Sequence, residues 1–170
     1  MPNVAIHDHL FLSHAPQDWA LAEWLTLRLT TEGYRVWCSR FPLLGGERYP
    51  RDIGAAVTER AFCVLALVSR ASRSAPNTRE EQALALDVGR TRHTNFLIAL
   101  AVDEESAAVG PPALPGAPLI PFHERWETGF TQLHAALRSV EAPRPLTNGA
   151  DVALQAREFL ASRRSWHTVL

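Results

Sequence analysis

The chain has 170 residues, and its composition, 46% hydrophobic and 21% charged, is that of a globular protein with a substantial core. Its formal net charge of -1 argues against a nucleic-acid partner, which would favour a strongly basic face. All 17 basic residues are arginine, so mechanisms that need a lysine, such as a Schiff base or the phosphate-binding lysine of a P-loop, are excluded.

The sequence also bears on disulfides, metal binding and cellular location. Cys38 and Cys63 each lie inside an apolar run, which predicts buried, reduced cysteines rather than a disulfide. The histidines are scattered and no Cys/His cluster has the spacing of zinc ligands, so no metal site is predicted. Without a secretory leader pattern or a segment of membrane-spanning length, we expect a cytoplasmic protein with no membrane contact.

In the first part of the chain, apolar runs alternate with helical patterns. A strand around His9 to Leu12 is followed by a helix that ends at Gly33. The apolar residues of this helix at helical spacing are Trp19, Ala22, Leu25 and Leu29. The β-branched and aromatic run YRVWC predicts the next strand. A long loop, SRFPLLGGERYP, and a short helix in RDIGAAVTERA complete this part.

The second part continues the alternation. The run FCVLALVS is apolar throughout, which indicates a strand buried on both faces. A loop, RASRSAPN, leads to a helix in TREEQALALDVG, and NFLIALAV is another doubly buried strand. The proline- and glycine-rich DEESAAVGPPALPGAP is predicted to be irregular. A short strand, LIPFH, and a helix in WETGFTQLHAALRSV follow, with Phe130, Leu133 and Leu137 on one side of that helix.

Strands that alternate with helices predict an α/β fold with a doubly wound parallel sheet. We assign residues 1–140 to this domain and residues 141–170 to a linker and a C-terminal helical extension, whose apolar ending is compatible with a longer natural chain. In such sheets the ligand site lies beyond the carboxyl ends of the strands. The candidate loops are therefore Ser13–Gln17, Ser39–Pro50, Ser69–Thr78 and Asp103–Pro118.

Two adjacent glutamates begin the helix TREEQALALDVG. From Glu81, the positions three, four and seven residues on are all apolar, whereas the same offsets from Glu80 end at Asp87. Glu81 is thus predicted to face the buried side of the helix, and Glu80 to face water. A carboxylate at the edge of a buried face needs a partner or a function. The alternative is that both acids only stabilise the positive end of the helix dipole.

Two further features have both a structural and a functional interpretation. Gly45 and Gly46 are either turn residues or a place where backbone approaches a ligand. Trp37, at the end of a strand, is either a core residue or an aromatic platform for a flat ring. The sequence contains no GxGxxG, GxxxxGK[ST] or GxSxG motif, so the usual backbone cradles for nucleotides and the serine hydrolase elbow are missing.

As an ordered set, these segments resemble the Toll/interleukin-1 receptor (TIR) domain family over about residues 8–140. LFLSHAPQDWALAEWLTLRL and GYRVWC look like the opening of the domain, and LLGGERYPRDIGAAV is similar to its BB loop and the helix after it. PNTREEQALALDVG resembles the bacterial pattern in which a glutamate precedes an L-A-L helix. The similarity is greatest to bacterial TIR domains of anti-phage defence systems, including those joined to an Argonaute-associated module.

The resemblance implies a five-stranded flavodoxin-like sheet and, as in many bacterial members, cleavage of NAD+ between nicotinamide and ribose. NAD+ is then the substrate, and no cofactor is implied. Alignment on the L-A-L run assigns the catalytic glutamate to Glu81. The substrate-binding positions carried over from the family are Ser13, His14, Trp37, Leu44, Gly45 and Gly46. Ser39 stands where the family often has an aspartate, so that carboxylate is missing.

A single carboxylate suits this reaction, because nicotinamide leaves as a neutral molecule and needs no proton donor. The site must instead stabilise an oxocarbenium-like ribosyl centre, as glycosidases do. The resemblance also implies self-association that completes the site across two subunits. The alternative function is a non-catalytic TIR scaffold that only binds other TIR domains. A receiver-like signalling domain lacks support, since the acidic pair after the first strand is missing.

Overall fold

The computed structural model describes residues 7–39, 51–92, 96–109 and 118–168 of the chain. These residues form a five-stranded sheet with the order β2-β1-β3-β4-β5, in which every neighbouring pair is parallel. The strands are β1 (His9–Ser13), β2 (Arg35–Trp37), β3 (Ala61–Val68), β4 (Leu97–Ala101) and β5 (Leu119–Pro121). The α/β flavodoxin-like arrangement predicted from the sequence is confirmed.

Helices connect the strands, as a parallel sheet requires. They are α1 (Trp19–Thr31), α2 (Ile53–Arg60), α3 (Arg70–Ser74), α4 (Pro76–Arg92), α5 (Glu104–Val109), α6 (Trp126–Ser139) and α7 (Gly149–Thr168), with a 3-10 turn at Pro16–Asp18 before α1. Because the chain runs from β1 outward to β2 and then returns to β3 on the other side of β1, the strand order reverses between β1 and β3. Their carboxyl ends mark the switch point at which ligands bind in such sheets.

The sheet separates two apolar clusters, and β3 contributes to both. Cys63, Leu65 and Leu67 pack in the cluster that contains residues of α1, α6 and α7, whereas Val64 and Ala66 pack in the cluster with residues of α2 and α4. The alternation follows the two-residue period of a strand. It confirms that β3 is buried on both faces. Both cysteines are buried and neither is in a disulfide, as predicted.

Two short helices correct the sequence-based assignment of loops. The predicted loop RASRSAPN contains α3, which Ser69 and Ser72 begin with a reciprocal capping box, and Pro76 then starts α4 at a position that tolerates proline. In the segment predicted to be irregular, Glu104–Val109 is helical. The Asp103 carboxylate accepts a hydrogen bond from the Ser106 amide at 2.8 Å there, as an N-terminal cap does. In both segments, side-chain caps stabilise a short helix although the sequence shows little helical periodicity.

The C-terminal segment packs back onto α1. Ala142 and Ala153 belong to the same core cluster as the α1 leucines, and the amide of Leu146 donates to the carbonyl of Gly33 at 3.0 Å. The apolar face of α7 is not fully covered, since Phe159 is 59% exposed. Trp19, the first residue of α1, is 42% exposed.

Candidate active site

A cavity of about 490 Å³ opens at the carboxyl edge of the sheet. It lies where β1 and β2 end and where α4 begins, which is within three of the four loops predicted to carry the site. Its lining residues are Leu12, His14, Pro16, Ser39, Ala75, Pro76, Asn77, Thr78 and Glu81. The volume falls in the range of small-molecule sites.

A hydrogen bond joins the two sides of this cavity. Ser13, the last residue of β1, is 1% exposed, and its hydroxyl donates to Glu81 Oε2 at 2.5 Å. Burial raises the pKa of the Glu81 carboxyl above its ordinary value, and the hydrogen bond from Ser13 opposes that shift. The strand thus holds one oxygen of a partly desolvated carboxylate in place.

The two adjacent glutamates occupy different environments, as their helix faces predict. Glu81 is half-buried and lines the cavity, whereas Glu80 is exposed. The buried face of α4 consists of Thr78, Gln82, Ala85 and Val88. The placement of Glu81 is confirmed, and its catalytic role stays a prediction.

His14 and Ser39 form a second polar pair in the cavity. His14 Nδ1 lies 2.8 Å from the carbonyl oxygen of Ala15, and because a carbonyl only accepts, Nδ1 is the donor. In the neutral ring, Nε2 then accepts from the Ser39 hydroxyl at 3.2 Å. Ser39, at which the sequence showed only a missing carboxylate, therefore contributes a hydroxyl to the site.

The other predicted binding residues are not all brought together with Glu81. Trp37 is 7% exposed, lies in the core cluster and stacks on His9 with ring centroids 3.9 Å apart. It does not line the described cavity, which agrees with the core alternative left open by the sequence, and its contact with substrate stays a prediction. Leu44, Gly45 and Gly46 lie outside the described residues.

Sequence reasoning missed Asn77 and Thr78 as site residues. They precede Glu81 by four and three positions, so helical spacing places all three on neighbouring rows of α4. This helical spacing could have identified both residues. It was not applied to them, because Asn77 and Thr78 were assigned to the predicted loop Ser69–Thr78. Since α4 begins at Pro76, both residues belong to its first turn.

A second carboxyl near the cavity has a perturbed environment. Asp18 Oδ2 accepts from the Ser69 hydroxyl at 2.5 Å. Burial raises the pKa of the Asp18 carboxyl, while Ser69 and nearby His14 lower it and Asp103 raises it. Asp18 does not line the described cavity, so it offers a control for Glu81.

The described residues contain neither a cluster of metal ligands nor a helix that could span a membrane. No three His, Cys, Asp or Glu side chains in the described part of the chain lie close enough to hold a metal ion. None of the helices within it combines the length and apolarity needed to cross a membrane.

Comparison with known proteins identifies the family. Residues 10–134, well over half of the chain, match the family described as TIR domain. The uncharacterized protein y4cD of Sinorhizobium fredii is 28% identical over 141 residues, which cover 82% of this chain but 22% of that protein. The chain therefore spans about a fifth of the length of that relative. Together with the parallel five-stranded sheet, the match shows that this chain belongs to the TIR domain family.

Proposed function

We propose that this TIR domain is an NAD+ glycohydrolase and that Glu81 is its catalytic residue. The observation that carries the proposal is the hydrogen bond from buried Ser13 to the half-buried Glu81 carboxylate at the wall of a cavity at the switch point. The TIR family includes members with this activity, and the match to the family supports the assignment.

The reaction breaks the bond between C1′ of ribose and the pyridinium nitrogen of nicotinamide. The bonding electron pair goes to that nitrogen, so nicotinamide leaves neutral and the positive charge moves to the ribosyl centre. Water then adds its oxygen to C1′ and releases a proton, which gives ADP-ribose, nicotinamide and H+. The principal demand on the protein is an anionic group beside the ribosyl cation.

Glu81 meets this demand because Ser13 engages only one of its oxygens. Among the described residues no donor engages Oε1, so that oxygen is available to the ribose or to the ribosyl cation. Partial burial strengthens its electrostatic interaction with a cation relative to the same interaction in water. No further cofactor is needed, since NAD+ itself supplies the leaving group.

The direct test is nicotinamide release from NAD+ by concentrated protein and three variants. Glu81→Gln is expected to lose on the order of a hundredfold or more in rate, the typical cost of removing one group that stabilises transition-state charge. Glu80→Gln and Asp18→Asn serve as controls and should keep most of the activity. Equal losses in Glu81→Gln and Glu80→Gln would contradict the assignment.

We also propose partners and a cellular setting for this activity. We infer that copies of the domain associate and that the BB loop, with Leu44, Gly45 and Gly46, contributes to a site completed between subunits. The proposed setting is bacterial defence in the cytoplasm, with an Argonaute-associated or other sensor module as activator. If no protein concentration gives NAD+ cleavage, the alternative of a non-catalytic TIR scaffold is favoured.

A further inference from the structure

The hydrogen bonds of His14 and Ser39 determine what this side of the cavity offers to a ligand. His14 Nδ1 donates to the carbonyl oxygen of Ala15 at 2.8 Å, so in the neutral ring Nε2 is an acceptor. The Ser39 hydroxyl donates its proton to that nitrogen at 3.2 Å. The proton of Ser39 is therefore engaged within the protein, and its oxygen presents lone pairs. Ser39 acts as an acceptor for a ligand that carries an N–H or O–H group.

The charge of the cavity disfavours an anionic group inside it. Of the described residues that line the cavity, Glu81 is the only Asp, Glu or Arg, and the chain contains no lysine. A carboxylate bound there would face the Glu81 carboxylate and the lone pairs of Ser39 without a cation to offset the repulsion. The cavity therefore suits a neutral group with a hydrogen-bond donor.

The position of the pair matches the group that leaves from C1′. His14 directly follows Ser13, so their Cα atoms are about 3.8 Å apart, and the Ser13 hydroxyl holds Glu81. In NAD+ the pyridinium nitrogen is bonded to C1′, and the carboxamide is attached two ring atoms away from that nitrogen. When C1′ lies at Glu81, a ring directed along this wall brings its carboxamide to Ser39.

We propose that Ser39 accepts a hydrogen bond from the NH2 group of the nicotinamide carboxamide and thereby makes the site specific for nicotinamide over nicotinic acid nucleotides. The inference rests on the proposed function and adds to it the residue that selects the leaving group. His14 is a positioning residue, since it sets the direction of the Ser39 hydroxyl. A polar group placed for an N–H rejects an analogue without one, because that group is then left unpaired.

The test compares NAD+ with its 3-acetylpyridine analogue, in which a methyl group replaces NH2 while the carbonyl group and the charge are kept. Ser39→Ala removes the acceptor. We expect kcat/KM to fall about tenfold for NAD+, which is about 1.4 kcal/mol. For the analogue it should fall by less than about twofold, because the analogue has no N–H to lose. His14→Phe, which keeps a ring and removes both nitrogens, should reduce the preference for NAD+ in the same direction.

Ser139→Ala is the matched control. Ser139 is exposed on α6, and its hydroxyl donates to the carbonyl of Ala136 at 2.7 Å, so neither substrate should be affected. Thermal unfolding of the variants checks that the fold is retained. The wild-type protein should also cleave nicotinic acid adenine dinucleotide at least about tenfold less efficiently than NAD+. Equal losses for NAD+ and the acetylpyridine analogue in Ser39→Ala, or no loss for either, would overturn the proposal.

A binding measurement separates this proposal from the proposed activity. Titration with nicotinamide and with 3-acetylpyridine, followed by NMR, does not require turnover. The wild-type protein should prefer nicotinamide, and Ser39→Ala should reduce that preference about tenfold. If this preference is found without NAD+ cleavage, the carboxamide site stands and the hydrolase proposal fails. If the wild-type protein binds the two molecules equally, the carboxamide site is wrong even where NAD+ is cleaved.

Discussion

The hydrogen bond from Ser13 acts on the protonation state of Glu81. Burial raises the pKa of the Glu81 carboxyl, and the Ser13 hydroxyl opposes this rise. In Ser13→Ala the opposition is lost, so the pKa of Glu81 rises further. Because the proposed reaction needs the carboxylate, this variant should lose activity at acidic pH values at which the wild-type protein is still active.

The pH dependence of kcat/KM measures this shift, since its acid limb reports the essential base of the free protein. Ser69→Ala removes the corresponding hydroxyl from Asp18 and provides the control, for which the acid limb should stay in place. An acid limb of Ser13→Ala that does not move, or that moves to lower pH, would show that Ser13 does not tune the essential group.

Glu81 is also expected to lower the stability of the fold. A carboxyl whose pKa is raised on folding favours the folded state when it is protonated, and that contribution is lost as the pH rises through the folded-state pKa. Glu81→Gln removes the buried charge and keeps an acceptor for Ser13. Near pH 7 this variant should melt higher than the wild-type protein, by roughly 2–4 °C for each 1 kcal/mol gained.

The gain should shrink near pH 4, because a carboxyl whose pKa is raised above its ordinary value is protonated there. Scanning calorimetry of both proteins at the two pH values decides the matter. A lower melting temperature for Glu81→Gln near pH 7 would mean that the carboxylate stabilises the fold, and would favour a structural role.

Of the site residues, Glu81 could be predicted from the sequence alone. Helical periodicity within a few residues distinguished Glu81 from Glu80, because the buried face of α4 is a local property of the sequence. The bond between Ser13 and Glu81 joins positions 68 residues apart, and no local pattern contains that information. The pairing of His14 with Ser39 likewise depends on two strands meeting at one edge.

At the scale of the elements, the docking of α7 depends on a glycine. A Cβ at Gly149 would lie 2.1 Å from the carbonyl oxygen of Thr30 and 3.2 Å from the Cα of Gly33. Both contacts are with backbone of α1 and the turn after it, which cannot move aside cheaply. Gly149→Ala should therefore cost about 1–3 kcal/mol, the usual penalty for overpacking.

Gly54 in α2 provides the comparison. A Cβ there would meet the Asp52 carboxylate at 3.5 Å and the Leu84 side chain at 3.9 Å, which are ordinary contacts. Gly54→Ala should be neutral or stabilising, because alanine favours a helix by up to about 1 kcal/mol over glycine. Denaturant unfolding of both variants measures the difference, and equal stability would mean that α7 does not pack closely on α1.

Sequence patterns predicted all five strands of the sheet and the helices of eight residues or more. Continuous apolar runs identified β3 and β4, and helical spacing identified α1 and α6, because each depends on residues that are neighbours in the chain. Helices α3 and α5 were missed, since five or six residues show little periodicity and depend on caps from Ser69 and Asp103. The return of the C-terminal segment to α1 is a tertiary contact that periodicity does not report.

At the scale of the whole molecule, the proposed activity is expected to depend on self-association. A net charge of -1 provides little repulsion between copies, and Leu43 and Leu44 belong to an apolar stretch of the BB loop. If two chains complete the site, specific activity should rise with protein concentration, because assembly follows mass action. Leu43→Asp with Leu44→Asp should reduce assembly and activity together.

A dilution series followed by light scattering measures mass and specific activity on the same samples. A monodisperse monomer with constant specific activity would contradict assembly and leave the assignment of Glu81 intact. A bulky residue at Gly46 should lower activity with little change in melting temperature if the BB loop closes the site. A large fall in melting temperature would instead indicate a glycine required by the turn.

The central claim, cleavage of the nicotinamide–ribose bond at Glu81, is tested most directly by the products formed in ¹⁸O-labelled water. Concentrated wild-type protein should release unlabelled nicotinamide from NAD+ and form ADP-ribose that carries one label at C1′, or a cyclic product without label. Glu81→Gln should give neither product at a comparable rate. Labelled AMP or nicotinamide mononucleotide, or undiminished nicotinamide release by Glu81→Gln, would contradict the account.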